Sequence, residues 1–286
     1  MLASLWAGLP VAVKIGLEDS PPLRLGFMRF VLGMVVVLVW ALISRQSLKI
    51  ARSELMPLTL LGLLFSVQTA FMNVGQYNTT AGHAGVVITT FPLWAGVFAH
   101  FLIPSDRLSP RRVVGAVIAY AGVVALFVRS IAGDVDALGA PNVWLGDLLI
   151  MCSALLLGLR QVYLSQLGQG ISTVKMLTAQ GIFGCATFLV GSLIFEAEPI
   201  RMTLLLATSL FYQGVIIAGF AFLGQTWLLS NYLPSRVTLI SLTSPITTAV
   251  LSWLILGENI GPELWAGAIL VMIGSYIAQR NQSDTK

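Results

Sequence analysis

The chain has 286 residues, 57% of them hydrophobic and only 10% charged, with a mean hydropathy of +0.88. Soluble domains average roughly 45–50% apolar and about 25% charged residues, so these figures exclude a water-facing surface over most of the molecule and call for a bilayer. The formal net charge of +4 does not point to nucleic acid, because the basic residues lie in short stretches between apolar runs, where they orient a membrane protein.

A helix crossing a bilayer needs about 20 mainly apolar residues. Reading from charge to charge predicts ten spans, near 2–17, 25–44, 55–76, 81–103, 112–128, 143–166, 173–195, 204–230, 234–256 and 263–279. The start, Met1 to Gly16, lacks a basic n-region, and Pro10, Lys14, Glu18 and Asp19 do not suit a cleavage site, so it reads as a short first span. Asn78-Thr79-Thr80 is a polar turn between the third and fourth spans, and Asn231 to Pro234 separate the eighth and ninth. No remaining stretch is long enough for a soluble domain.

One pattern occurs twice. Pro92, Asp106, Pro110, Gly115 and Gly122 are answered about 150 residues later by Pro245, Glu258, Pro262, Gly267 and Gly274. From the acid onward the spacings are identical, which is the signature of two homologous halves. The expected organisation is a first repeat over 1–129, an external linker over 130–142, a second repeat over 143–280 and a tail over 281–286.

Loop charges set the direction. With the N-terminus inside, the inner segments carry Arg45, Lys49, Arg52, Arg107, Arg111, Arg112, Lys175, Arg236, Arg280 and Lys286, and the outer ones only Arg24, Arg129 and Arg201. This positive-inside bias predicts that both termini are cytoplasmic. Five spans per repeat is an odd number, so the second repeat enters the membrane upside down. The expected fold is an all-α integral membrane protein, ten transmembrane helices as two inverted five-helix repeats able to rock about a site near the midplane.

Several residues in order carry a family resemblance. They include Trp6 with Lys14, Ser20-Pro21-Pro22, Arg29-Phe30, Gln76 to Gly82 and Pro92 in the first half. In the second half they include Gly146-Asp147, Pro245, Leu256-Gly257-Glu258 and Gly267 to Gly274. The chain resembles EamA-type ten-helix transporters of the drug/metabolite transporter superfamily. That resemblance implies a monomer or homodimer in a bacterial inner (plasma) membrane that moves small metabolites, often amino acids or related solutes, commonly outward.

Polar groups at membrane depth need an explanation. Lys14 and Arg29 lie towards the outer ends of their spans, either reaching to the headgroups or forming an anion-attracting pair at the outer mouth. Arg160 either snorkels inward or grips a carboxylate or phosphate with two parallel hydrogen bonds. Gln68, Asn73 and Gln76 in the third span, and Gln225 and Thr226 in the eighth, are interhelical glue or the lining of a solute site. Their recurrence in both halves favours lining. Trp6, Trp94 and Tyr163, with Tyr212, are candidate stacking surfaces.

Pro92 and Pro245 interrupt their helices and are candidate hinges, with Thr89-Thr90 and Thr243-Ser244 placed to satisfy freed backbone groups. The glycine pairs permit close helix packing. His83 and His100 are 17 residues apart on one span, about 25 Å on a helix, so they cannot share a metal. An interfacial role for His83 is preferred over proton coupling. Cys152 and Cys185 lie within apolar segments and read as packing residues. No catalytic motif, metal cluster or nucleotide loop is evident.

The expectation is therefore a secondary-active exporter of small metabolites, driven by protons, a counter-solute or the solute's own gradient, with no cofactor and no enzymatic activity. The competing expectation is an uptake permease for an aromatic vitamin-like or nucleoside-like solute.

Overall fold

The computed structural model describes residues 2–103, 109–132, 140–232, 237, 244–258 and 261–279. Asp106, Arg107, Asp134, Asp136, Arg236, Thr243, Arg280 and Lys286 lie outside the described residues, as do the side chain of Arg129, much of the 130–142 linker and the 281–286 tail. All regular structure among the described residues is helical. The helices are α1 (Leu2–Leu17), α2 (Pro22–Ile43), α3 (Arg52–Asn78), α4 (Ala81–Leu102), α5 (Pro110–Ala132), α6 (Val143–Leu167), α7 (Thr173–Phe195), α8 (Leu204–Asn231), α9 (Ser244–Leu256) and α10 (Pro262–Gln279). Seven are long and apolar enough to cross a membrane, and α1, α9 and α10 contribute shorter apolar helices. Large apolar side chains such as Val35, Leu42, Val117, Leu193 and Leu254 are exposed on the outside of the bundle, the face that lipid tails cover.

Two helices are interrupted. Pro92 sits in the first turn of the second segment of α4, after a break at Thr89 and Thr90. Proline lacks the N–H that a helix needs. The Thr89 and Thr90 hydroxyls donate to the Val86 and Val87 carbonyls at 2.7 and 2.8 Å. In α8 the hydrogen bonding widens to a π-helix over Phe211–Ala221, a rare geometry that concentrates at functional sites.

The packing has a two-fold pattern. Helices α2 and α7 pack together, as do α4 with α9 and α5 with α10, so each of these helices meets its own counterpart. The other large contacts exchange in pairs: α3 with α6 and α8 with α1, α2 with α8 and α7 with α3, α4 with α6 and α9 with α1. The direction of pairing is legible from glycines too close to a neighbour to carry a side chain. A Cβ on Gly115 would strike the Gly274 carbonyl, and one on Gly122 would meet the Gly267 carbonyl at 3.0 Å. Residue numbers rise along α5 as they fall along α10, so the helices are antiparallel. Gly82 against Ser252 and Gly85 against Thr248 place α4 and α9 in the same relation. Gly26 against Phe188 and Gly181 against Met34 do so for α2 and α7. Counterparts that run antiparallel require a two-fold axis in the membrane plane, which is an inverted repeat. Small residues allow these close approaches in an environment where dispersion and hydrogen bonds, not burial from water, hold helices together.

Candidate substrate cavity

Where the halves meet, seven helices line a cavity with room of about 90 Å3 for the centre of a water-sized sphere. Lining residues come from α1, α2, α3, α4, α6, α8 and α9, hence from both repeats. Most are apolar or aromatic, including Leu9, Phe30, Met72, Phe91, Ile217 and Phe222. Trp6 stacks on Phe222 with ring centroids 5.1 Å apart. Two arginines also line this space, and among the described residues none that line it is acidic.

Arg29, on α2, is 3% exposed. Its Nη2 donates to Asn73 Oδ1 at 2.9 Å and its Nη1 to Gln213 Oε1 at 3.4 Å, while Nε has no hydrogen-bond partner among the described residues. Both acceptors are neutral and both are held. The Asn73 amide donates to the Pro22 carbonyl at 3.2 Å. The Gln213 amide donates to the Ala12 carbonyl and to Ser209 Oγ, which turns its oxygen towards the guanidinium.

Arg160, on α6, is 5% exposed. Its guanidinium carbon lies over the Phe65 ring at 4.9 Å and the Phe222 ring at 5.7 Å. Its Nε and Nη1 have no hydrogen-bond acceptor among the described residues. Aromatic faces attract the cation but leave its N–H groups unused. Nearby lining groups are also unsatisfied: Gln68 Oε1, Gln161 Oε1 and Ser244 Oγ. Buried polar atoms without partners are rare in folded proteins, and five of the residues lining this space carry one or more of them.

Of the residues singled out in the sequence, Trp6, Arg29, Gln68, Arg160 and Gln225 line the cavity. Asn73 does not line it; it positions Arg29 from behind. Gln76 is buried away from the cavity, and Thr226 is buried with its carbonyl accepting from Ser230 Oγ at 3.0 Å. Trp94 packs edge-on to Tyr120 with centroids 5.3 Å apart. Tyr163 donates to the Pro57 carbonyl, and Tyr212 to the Leu5 carbonyl against Gly8. Neither of the two proline rings lines the cavity, although Phe91 and Ser244 beside them do.

Lys14 is not paired with Arg29 at a mouth. Its Nζ donates to the Gln76, Tyr77 and Thr79 carbonyls at 3.3, 3.4 and 2.8 Å, closing the C-terminus of α3. A cation there satisfies free carbonyls and the negative end of the helix dipole. The next turn is pinned by two acids. Glu258 accepts from the Ala81 and Gly82 N–H groups at 2.7 and 2.9 Å, at the N-terminus of α4. Asp147, fully buried, accepts from the Thr79 hydroxyl at 2.6 Å and lies 2.9 Å from His83 Nδ1. No group of three or more His, Cys, Asp or Glu side chains able to hold a metal occurs among the described residues.

The comparisons match this architecture. The EamA-like transporter family matches the chain twice, over residues 1–128 and 144–279. The chain belongs to the EamA-like transporter family. It is similar to the uncharacterized transporter YoaV of Bacillus subtilis, at 26% identity over 96% of this chain and 92% of that one. It is also similar to the uncharacterized inner membrane transporter YedA of Escherichia coli K12, at 26% identity over 96% and 89% of the two chains. A probable amino-acid metabolite efflux pump of Salmonella typhimurium is 27% identical over 97% and 92%. A solved crystal structure superposes with a TM-score of 0.71 at 21% identity, covering 99% of this chain and 96% of the other. The protein is thus a multi-pass membrane transporter of the EamA-like family.

For this EamA-like transporter, reading the sequence missed Gln213, Phe222 and Thr248 as lining residues, and the pairing of Asp147 with His83. Gln213 was visible as a lone amide in an apolar run. Its direction depends on the π-helical stretch, which turns successive side chains through a different angle from an α-helix.

Proposed function

We propose that this transporter moves small polar metabolites out across the bacterial inner membrane by alternating access of its two inverted repeats, with both termini cytoplasmic. One observation carries the reading: two buried arginines from opposite repeats face a single cavity whose lining, among the described residues, holds no acid to neutralise them. Burying an unpaired charge is costly, and a solute bearing an anionic group offsets that cost when it binds. Because the cavity lies on the two-fold interface, rocking of one repeat against the other opens it to each side in turn. The break before Pro92 and the α9 start at Ser244-Pro245 adjoin the cavity and are the hinge points of that motion. The direction rests on the name of the Salmonella relative, a probable amino-acid metabolite efflux pump. Of the aromatics that motivated vitamin or nucleoside uptake, Trp6 alone lines the cavity, so that reading has less support.

The test is counterflow in proteoliposomes against labelled amino acids, organic acids, nucleosides and vitamins. Accumulation of at least one small metabolite, lost in Arg160→Ala, is expected. If no solute crosses, or if Arg160→Ala transports normally, the reading fails. Labels placed in 130–142 and at the C-terminus should fall on opposite sides of the membrane.

A further inference from the structure

The charge balance of the cavity narrows the cargo further. This inference rests on the cavity being the solute site. Two guanidiniums converge on one low-dielectric space, and a guanidinium keeps its proton under any physiological condition. Charges this deep are normally answered by a carboxylate; Arg29 is answered by the amides of Asn73 and Gln213, and Arg160 by two ring faces. A zwitterionic amino acid brings one negative and one positive group, so it leaves the excess of two charges unchanged. Its ammonium also needs an acceptor, and among the described residues the lining offers amide and hydroxyl oxygens but no carboxylate. Gln68 and Gln161 do not supply that missing charge. Gln68 is held by its amide N–H on Ser153 Oγ at 2.7 Å, which leaves its oxygen as an acceptor for a ligand hydroxyl, whereas the Gln161 carboxamide can turn either its oxygen or its NH2 to a ligand.

We propose that the cavity selects small organic acids lacking an ammonium group, a carboxylate on an apolar body, over the corresponding amino acids. The Arg160 guanidinium grips the carboxylate, Arg29 supplies the second positive charge, and the body lies against Trp6 and Phe222. The stacked rings present a flat apolar shelf beside the cation, so head and body are both accommodated.

Two matched trios test this on the full-length protein in detergent, by ligand-induced rise of the unfolding midpoint and by competition. The first trio is 3-phenylpropionate, phenylalanine and phenethylamine; the second is 4-methylvalerate, leucine and isoamylamine. Within each, members differ only in which charged groups they carry. Inorganic phosphate serves as a bare anion. The acid of at least one trio is expected to bind tenfold or more tighter than its amino acid, with no binding by the amine. Arg160→Gln should abolish that preference, and Arg160→Lys should restore part of it, because lysine keeps the charge without the planar fork. If the amino acid binds as well as the acid and Arg160→Gln abolishes both, the cavity remains the solute site and the selection for acids falls. If binding persists unchanged in Arg160→Gln, the site itself is wrong. Failure of every organic probe, or phosphate competing as well as the acids, overturns the organic-acid assignment.

Discussion

Two regions of this protein bury charge, and they do it in opposite ways. Around the turn from Asn78 to Gly82, the charges meet fixed partners: Lys14 meets three carbonyls, Glu258 two N–H groups, and Asp147 a hydroxyl and an imidazole. In the cavity, partners are incomplete among the described residues: Arg29 has two amide oxygens and the Phe30 ring but no partner for Nε, and Arg160 lies over two rings with no acceptor for Nε or Nη1. The first arrangement joins elements: α1 and two second-half acids are tied to one first-half turn. The second leaves hydrogen-bonding capacity unspent. A buried charge by itself therefore does not mark a functional site; a buried charge without a partner, facing open space, does.

The sharpest way to break the contrast is to remove a partner where the partners are complete. Asp147→Ala leaves the Thr79 hydroxyl and the His83 imidazole buried without their acceptor, each costing about 1–3 kcal/mol. The unfolding midpoint in detergent should fall accordingly, with the ranking of transported solutes unchanged. An unchanged midpoint would dissolve the distinction between the two regions.

Arg160→Leu should do the reverse. Exchanging an unpaired buried cation for an apolar side chain maintains or raises stability. Loss of charge-assisted hydrogen bonds to the solute, worth about 1.5–3 kcal/mol, lowers apparent solute affinity by about 10- to 150-fold. Unfolding and counterflow measured on the same preparation check both halves of this statement. A variant that loses stability and keeps transport would make Arg160 a structural residue.

Glu258→Gln probes the turn more gently, since the side chain keeps its shape. It loses the charge that complements the N-terminus of α4, an interaction of about 0.3–2 kcal/mol, and one of the two acceptors, since an amide NH2 cannot accept from the Ala81 or Gly82 N–H. A midpoint drop smaller than that of Asp147→Ala is expected, checked in the same unfolding assay. A larger drop would reverse the ranking of the two acids.

Much of the architecture was legible from residue order, and the reasons are physical. Hydrophobic length gives a helix its place in the bilayer, so predicted boundaries such as 143–166 and 173–195 differ little from Val143–Leu167 and Thr173–Phe195. The duplicated Gly115/Gly122 and Gly267/Gly274 spacing anticipated close packing, and these glycines meet across an antiparallel interface. Direction around each helix was the harder quantity. Trp94 and Tyr163 sit at plausible depth but face away, and Asn73 faces Arg29 instead of the cavity. Glu258 stood out in the sequence only as the acid of the duplicated pattern, because only tertiary contact brings the α4 N-terminus onto it. Depth is a property of one helix; azimuth depends on its neighbours, and in α8 also on the π-helical stretch.

The mildest test lies between the two regions. Asn73 belongs to the polar set of α3, but its oxygen serves Arg29 and its amide the Pro22 carbonyl. Interhelical hydrogen bonds in membranes average about 0.6 kcal/mol, so Asn73→Ala should lower the unfolding midpoint only slightly. The same change frees Arg29 from its shorter acceptor and leaves Gln213 as the remaining one at 3.4 Å. A less fixed guanidinium loses preorganisation for the solute, so apparent affinity should weaken by a few-fold while maximal flux stays close to that of the unmodified protein. Asn73→Asp separates positioning from charge. A carboxylate would neutralise Arg29 in place and reduce the excess positive charge of the cavity by one. Affinity for an acidic solute should then fall further than in Asn73→Ala, even though the contact to Arg29 becomes stronger. If Asn73→Asp binds such a solute as tightly as the unmodified protein, Arg29 contributes no charge to recognition and the cavity works through Arg160 alone.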